Sequence, residues 1–512
     1  MLKAEASKMD YILSVDAGTT ASKVSLFDEN GELVAISSQE YALITPTSLA
    51  VEIEAITLWN AFKKGITEVL GKSKVDKNLI RALGISAQGE TLIFLDKNGI
   101  PLRNAIVWLD NRAQQEAEIL TEEFDPETSY RITGQVSIVP TWPASKILWV
   151  KRHEPEVFNM TSKYLLVEDY LIHKMTGRFV AEGSLLCSTV YWDINTRKWW
   201  DEMLEKLEIT PDELPEIRES GEAIGELTPT AAAELNLSPK TVVSTGALDQ
   251  AAGATGVGNI RAGTFSENTG AALAICAPLD IPVFDPQRKM PIHYFVKPGT
   301  YMAHTFTTGG MVLRWFRDNF CQQEMQVAST AGIDAYDILG MEASRVSPGC
   351  EGLTMLPHLQ GAMAPEANQK ARGVFYGFTL RHTKAHLTRA IMEAVAFIVR
   401  RNIETLQSLG IRVGEIRTLG GGARSALWKQ IEADITQRPV LTMKNEEAAC
   451  LGAAILAGKA VGMYRTVDEA CGKMIAIKKR FEPNPENFDV YEKSYQRYVQ
   501  LYEDLVGLFA KD

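Results

Sequence analysis

Residues 11–27 read YILSVDAGTTASKVSLF: an apolar run ending in Asp16, a Gly18-Thr19-Thr20 turn, then an alternating run beginning beside Lys23. Two strands joined by small residues turn backbone N–H groups and two hydroxyls outward, which suits a phosphate. Asp16 at the strand end can hold a divalent cation, directly or through water, and Lys23 adds positive charge nearby. A plain hairpin has the same outline. However, residues 263–275, GTFSENTGAALAI, repeat the pattern through Asn268, Thr269 and Gly270. Two phosphate-type turns about 250 residues apart predict a duplicated fold that closes on one nucleotide.

A third glycine site follows Leu419: Gly420-Gly421-Gly422-Ala423-Arg424-Ser425, then a helical run over 427–435. Glycine lets a backbone approach a nucleotide closely, and a helix N-terminus favours the α-phosphate. Residues 243–253 end a strand in small side chains, with Asp249 where a helix would start. Asp249 is either an N-cap or the base that accepts a proton from a substrate hydroxyl as its oxygen attacks a γ-phosphate. Gln88-Gly89-Glu90 and Trp108-Leu109-Asp110 also follow strands. Trp108 is either core or a wall for the C–H face of a polyhydroxyl ligand. Gly71-Lys72-Ser73 fails as a Walker A loop because its first glycine would fall at Ile66. Residues 253–258 lack dinucleotide spacing and the acid expected about 20 residues on. His382 and His386 are four apart, but His382 lacks the following Glu of a zincin.

These groups need strands at 11–15, 23–28, 33–38, 80–86, 91–95 and 105–109, with an amphipathic helix over 55–70. Helices are expected over 112–121, 146–151 and 167–175, a connector with a short helix over 227–241, and a strand at 242–245. The second half repeats the scheme, with strands at 263–267, 271–277, 352–356, 372–376 and 415–419 and a long helix over 386–408. The pattern is α/β with mixed sheets. At 512 residues the chain exceeds one core and suits two domains, 1–255 and 256–512. Residues 360–371 carry the least pattern and read as a mobile surface segment. A net charge of −11 argues against nucleic acid or an anionic membrane as partner. Six scattered cysteines without a Cys-x-x-Cys pair read as reduced cytoplasmic thiols. No run of about 18 apolar residues predicts a membrane span, and the first eight residues read as a frayed tail.

Taken together, the blocks resemble the FGGY carbohydrate kinases of the actin-like ATPase superfamily, over roughly residues 11–464. Asp16-Ala-Gly-Thr-Thr-x-x-Lys23 is similar to that family's first phosphate loop. Lys146-Ile147-Leu148-Trp149 is similar to its lysine-tryptophan signature, with Thr141 where an aromatic, Met, Gly or Ser is usual. Gly373-Val-Phe-Tyr-Gly377-Phe378, then His386-Leu387-x-x-Ala390-Ile391-Met392-Glu393, fits the second signature throughout. Gly420-Gly-Gly-Ala-Arg-Ser425 and Cys450-Leu-Gly-Ala-Ala-Ile455 resemble its nucleotide-domain motifs. The resemblance implies two ribonuclease H-like domains flanking a deep cleft, with ATP and Mg²⁺ as cofactors. Asp249 would be the general base and Asp16 the residue near Mg²⁺. Thr19, Thr20 and Lys23 would meet the β/γ-phosphates from one domain, and Asn268, Thr269 and Gly270 from the other. Gly421 and Gly310 would line the α-phosphate and adenosine side. Gln88, Glu90, Trp108, Asp249 and Gln250 would contact the sugar. A homodimer is frequent in such kinases, by analogy only.

On substrate, pentulose kinases usually place Met-His after the glutamine of this strand end, where the chain has Gly89-Glu90. Glycerol kinases place Arg-Glu-Thr there, and Gly89-Glu90-Thr91 lacks the arginine. Losing that guanidinium removes a bidentate donor and leaves room for a substrate longer than glycerol. Residues 361–365, Gly-Ala-Met-Ala-Pro, also depart from the usual Gly-Glu-Arg-x-Pro. The expectation is a ketopentose such as xylulose or ribulose, with a tetritol, glycerol or other polyol next. A non-catalytic actin-like ATPase or sensor is the rival class.

Overall fold

A computed structural model describes residues 9–511; the expected N-terminal tail lies outside the described residues. Tyr11–Ala17, Ala21–Asp28 and Leu33–Glu40 form an antiparallel meander. Ile80–Ala87 pairs parallel with the other side of the first strand, and Val242–Ser244 pairs parallel beyond it. Ile12, Leu13, Val15, Leu83 and Ile85 are fully buried, as expected of central strands covered on both faces. The helix Ala55–Ser73 lays Leu58, Trp59, Phe62, Ile66 and Val69 against the meander; Ile56, one of the apolar positions whose spacing suggests the helix, is exposed instead.

The second sheet has the same plan. Gly263–Thr269, Ala272–Leu279 and Tyr301–Thr308 form its meander, and Val413–Leu419 and Val440–Met443 extend it in parallel. Both sheets therefore run third, second, first, fourth, fifth strand with the same directions, the ribonuclease H-like order. The expected fold class, two such halves in an α/β chain, is what forms. Further strands extend the second sheet at its edges, Ile292–Tyr294 and Ile477–Phe481.

One helix joins the halves. Ala448–Ala460 is apolar on every side and packs on Tyr11–Ala17 and Ile80–Ala87, although it belongs to the second half of the chain. It also crosses Asp249–Gly256 at backbone distance. A Cβ on Gly452 would lie 1.8 Å from Ala252 O, and one on Gly256 would lie 1.8 Å from Ala448 O. Only glycine fits either position.

Several expectations need correction. The strand predicted over 91–95 begins at Ile93, and the one over 105–109 ends at Ile106, so Thr91 and Trp108 lie in turns. Residues 360–371 are pinned: Ala362, Ala364 and Ala371 are buried, Ala362 pairs with Asn368, and Glu366 meets Arg401 at 2.8 Å. Residues 71–73 end a helix and 253–256 lie in one, so neither decoy forms a phosphate loop. No helix among the described residues is long and apolar enough to cross a membrane.

Candidate active site

Three adjacent strands of the first half end together. Asp16 stands opposite Ser86, and Ser86 stands opposite Ala247, all in parallel register. The residues that follow these strand ends, Gly18-Thr19-Thr20, Gln88-Gly89-Glu90 and Asp249-Gln250, consequently emerge at one edge of the sheet. Ligand crevices of open α/β sheets form outside such carboxyl ends.

Asp249 is the first residue of its helix; Leu248 occupies the cap position and no side chain caps it. The turn before it is held from below. Glu168 Oε1 accepts from the Gly246 N–H at 2.7 Å, and Ser184 Oγ accepts from the Leu248 N–H at 2.9 Å. Asp249 is half-buried. Its pKa is pushed up to about 8, first by burial and then by the like charges of Asp16 and Glu90. The three residues follow neighbouring strand ends at one sheet edge, near enough for Asp16 and Glu90 to act on Asp249. Asp16 accepts from Ser86 Oγ at 2.8 Å, and burial raises its pKa against the pull of Ser86 and Lys23.

Glu90 sits at φ 56°, a left-handed conformation that non-glycine residues rarely adopt. The fully buried Lys146 donates to its carbonyl at 2.7 Å. Burial raises the Glu90 pKa, with Ser188 and Lys146 opposing it, and burial lowers that of Lys146. Trp108 is half-buried and its indole N–H donates to Thr19 Oγ1 at 2.7 Å. Gln88 differs from expectation. It is 3% exposed, and its amide is spent on Gly18 O (3.0 Å) and the Thr91 hydroxyl (3.1 Å), so it supports the loop from behind. The Tyr41 hydroxyl donates to the same Gly18 carbonyl.

In the second half the Asn268-Thr269-Gly270 turn, Gly310 and the 420–422 glycines come together. A Cβ on Gly310 would lie 2.4 Å from Gly270 O, and one on Gly420, at φ 79°, 2.3 Å from Asn268 Oδ1. A Cβ on Gly421 would meet nothing within 4 Å, so its backbone faces open space. The Thr269 side chain is buried and its hydroxyl donates to Glu267. Beneath lies Lys429, buried between Glu267 at 2.6 Å and Glu432 at 2.5 Å. Ser425 caps the helix Ala426–Thr436 by accepting from the Trp428 N–H.

Lys23 spans the halves: its Nζ meets Glu447 Oε2 at 2.8 Å, just before the shared helix. Sequence reasoning passed over Glu447, Tyr41 and the Glu168–Ser184 support. Each acts through a contact distant in the chain; only Lys146 carried a local signal, its lysine-tryptophan signature.

Comparison with known proteins agrees with this geometry. The chain is 31% identical to a gluconokinase of Bacillus licheniformis, over 98% of this chain and 97% of that one. It is 30% identical to a xylulose kinase of Staphylococcus epidermidis, over 98% of each. The structure of a ligand-bound xylulose kinase from Lactobacillus acidophilus superposes with a TM-score of 0.88 at 28% identity, covering 98% of this chain and 99% of that one. Residues 11–256 match the N-terminal domain of the FGGY family of carbohydrate kinases and residues 274–461 its C-terminal domain. With the duplicated sheets and the carboxylate-lined crevice, these matches make the chain a phosphotransferase of the FGGY family of carbohydrate kinases.

Proposed function

We propose that the protein transfers the γ-phosphoryl group of ATP to a hydroxyl of a neutral ketopentose such as xylulose or ribulose. The observation that carries this reading is Asp249, half-buried at the sheet edge where Asp16 and Glu90 also emerge. Its carboxylate takes the hydroxyl proton while that oxygen attacks phosphorus and the bond to the β-phosphate oxygen breaks. Trp108 walls the sugar, Glu90 and Gln250 accept or donate hydrogen bonds to its hydroxyls, and Gln88 stands behind them. Thr19, Thr20 and Lys23 hold the β/γ-phosphates from the first half. Asn268, Thr269 and Gly270 hold them from the second, with Gly310 and Gly421 on the α-phosphate and adenosine side.

The donor set fits a divalent cation at Asp16. Three carboxyls with raised pKa values crowd the crevice, and Lys23, the ammonium beside Asp16, is shared with Glu447. Mg²⁺ there would neutralise phosphate charge. The same crowding favours an uncharged substrate over an aldonate, whose carboxylate would face Glu90 and Asp249. Glu90-Thr91, in the place where glycerol kinases carry Glu-Thr, supports a tetritol or other polyol as the second reading. We place the reaction in the cytoplasm, where ATP is available; the six unpaired, buried cysteines agree. ADP release with xylulose, ribulose, erythritol, glycerol and gluconate tests the proposal. Turnover confined to gluconate would overturn the neutral-substrate reading, and turnover confined to glycerol the larger-substrate one. ATP binding without phosphorylation of any of them would favour a sensor.

A further inference from the structure

The threonine hydroxyls of the two phosphate turns are wired oppositely. Thr269 gives its only proton to Glu267. Thr19 instead accepts one, from the Trp108 indole N–H at 2.7 Å. A hydroxyl that accepts keeps its own proton free, so Thr19 can donate to a phosphate oxygen and is polarised toward doing so.

Trp108 is itself held. Its backbone N–H donates to Thr91 Oγ1 at 3.2 Å, and the Thr91 hydroxyl donates to Gln88 Oε1 at 3.1 Å. Gln88 Nε2 then donates to Gly18 O at 3.0 Å, the carbonyl next to Thr19. The bonds close a circuit through Trp108, Thr91, Gln88, Gly18 and Thr19. Thr91 is wholly buried, and its hydroxyl joins the Trp108 N–H to Gln88.

We propose that Thr91 and the Trp108 indole N–H are positioning groups for ATP, fixing the Thr19 hydroxyl as a donor to the terminal phosphates. The wall of the sugar pocket thereby sets the affinity of the phosphate loop. This rests on the kinase reading for the identity of the nucleotide, but not on which sugar is used.

The test is calorimetric binding of a non-hydrolysable ATP analogue with Mg²⁺ and no sugar present. Trp108→Phe keeps an aromatic ring and loses the indole N–H; Thr91→Val keeps the shape and loses the hydroxyl. Each should weaken binding by about 3–10-fold, the worth of one or two neutral hydrogen bonds. Thr91→Ser should bind within about twofold of the wild type, since it keeps the hydroxyl. Trp108→Phe combined with Thr19→Val should bind no more weakly than Thr19→Val alone, because the indole acts through that hydroxyl. Wild-type affinity in Trp108→Phe, or additive effects in the double variant, would overturn the proposal, and these variants decide it even if Thr91→Val does not fold. A failed ketopentose assay with a non-additive cycle would sink the substrate reading alone. Normal ketopentose turnover with an additive cycle would sink this inference alone.

Discussion

Folding places the Asp249 carboxyl where its charged form is disfavoured, with a pKa pushed up to about 8 from an ordinary 3.8. Between these values the folded chain keeps a proton that the unfolded chain has released. Stability therefore falls as pH rises from about 4 to about 8. At ~1.36 kcal/mol per pH unit, this single group withholds at most about 4 kcal/mol at pH 7. The residue is half-buried, and screening by water brings the expected figure nearer ~2 kcal/mol. Asp249→Asn keeps the shape and removes the ionisation, so it should stabilise the protein and disable it together. Thermal melting at several pH values should give coincident curves near pH 4 and a gap that widens to pH 8 in favour of the variant. Sugar-dependent ADP release should fall by about 10²–10⁴-fold, the usual worth of a general base. A gap that is absent at pH 8, or that closes as pH rises, refutes the electrostatic argument. Turnover within about tenfold of the wild type refutes the role of the base.

Glu90→Gln removes one like charge beside Asp249, so the acid limb of the sugar kcat/KM profile should move down by about one pH unit; an unmoved limb would separate the two carboxyls. Glu447→Gln frees Lys23 from a half-exposed ion pair, and denaturant unfolding should change by less than ~1 kcal/mol while nucleotide affinity rises. Weaker nucleotide binding would show that Glu447 steers Lys23 toward the phosphates instead of competing for it. Gly452→Ala forces a Cβ to within 1.8 Å of Ala252 O, and the crossing helices must part at a cost of about 1–3 kcal/mol or more; an unchanged unfolding midpoint would contradict the packing.

What the sequence conveyed was local. Asp16, the threonine turn and the second strand could be read because apolar alternation and small residues lie side by side in the chain, and the repeat at 263–275 exposed the duplication. Tyr301–Thr308 was hidden because His304, Thr305, Thr307 and Thr308 are buried there, masking the usual alternation. Ala448–Ala460 was hidden for the opposite reason: apolar residues all round give no helical period. Thr91 suggested a strand through its β-branched side chain, yet its hydroxyl serves a turn. Residues 360–371 lack any period, and what pins them, Arg401 and the buried alanines, is tertiary. Gln88 stood at the right strand end, but only coordinates show that its amide faces Gly18.

The two halves share a topology and divide the electrostatics. The strand ends of the first half carry Asp16, Glu90 and Asp249, whereas the corresponding turns of the second offer Asn268, Gly270, Gly310 and Gly421, neutral groups with close backbone approach. Amides suit an anionic triphosphate, and carboxylates suit a cation and an alcohol, which agrees with the proposed placing of a nucleotide across both halves. After burial, Asp16 is the largest cause of the raised Asp249 pKa. Whatever neutralises Asp16 therefore lowers the Asp249 pKa and readies the base. On the proposed reading, a cation and nucleotide held at Asp16 favour the carboxylate form of Asp249, the form that can take the hydroxyl proton.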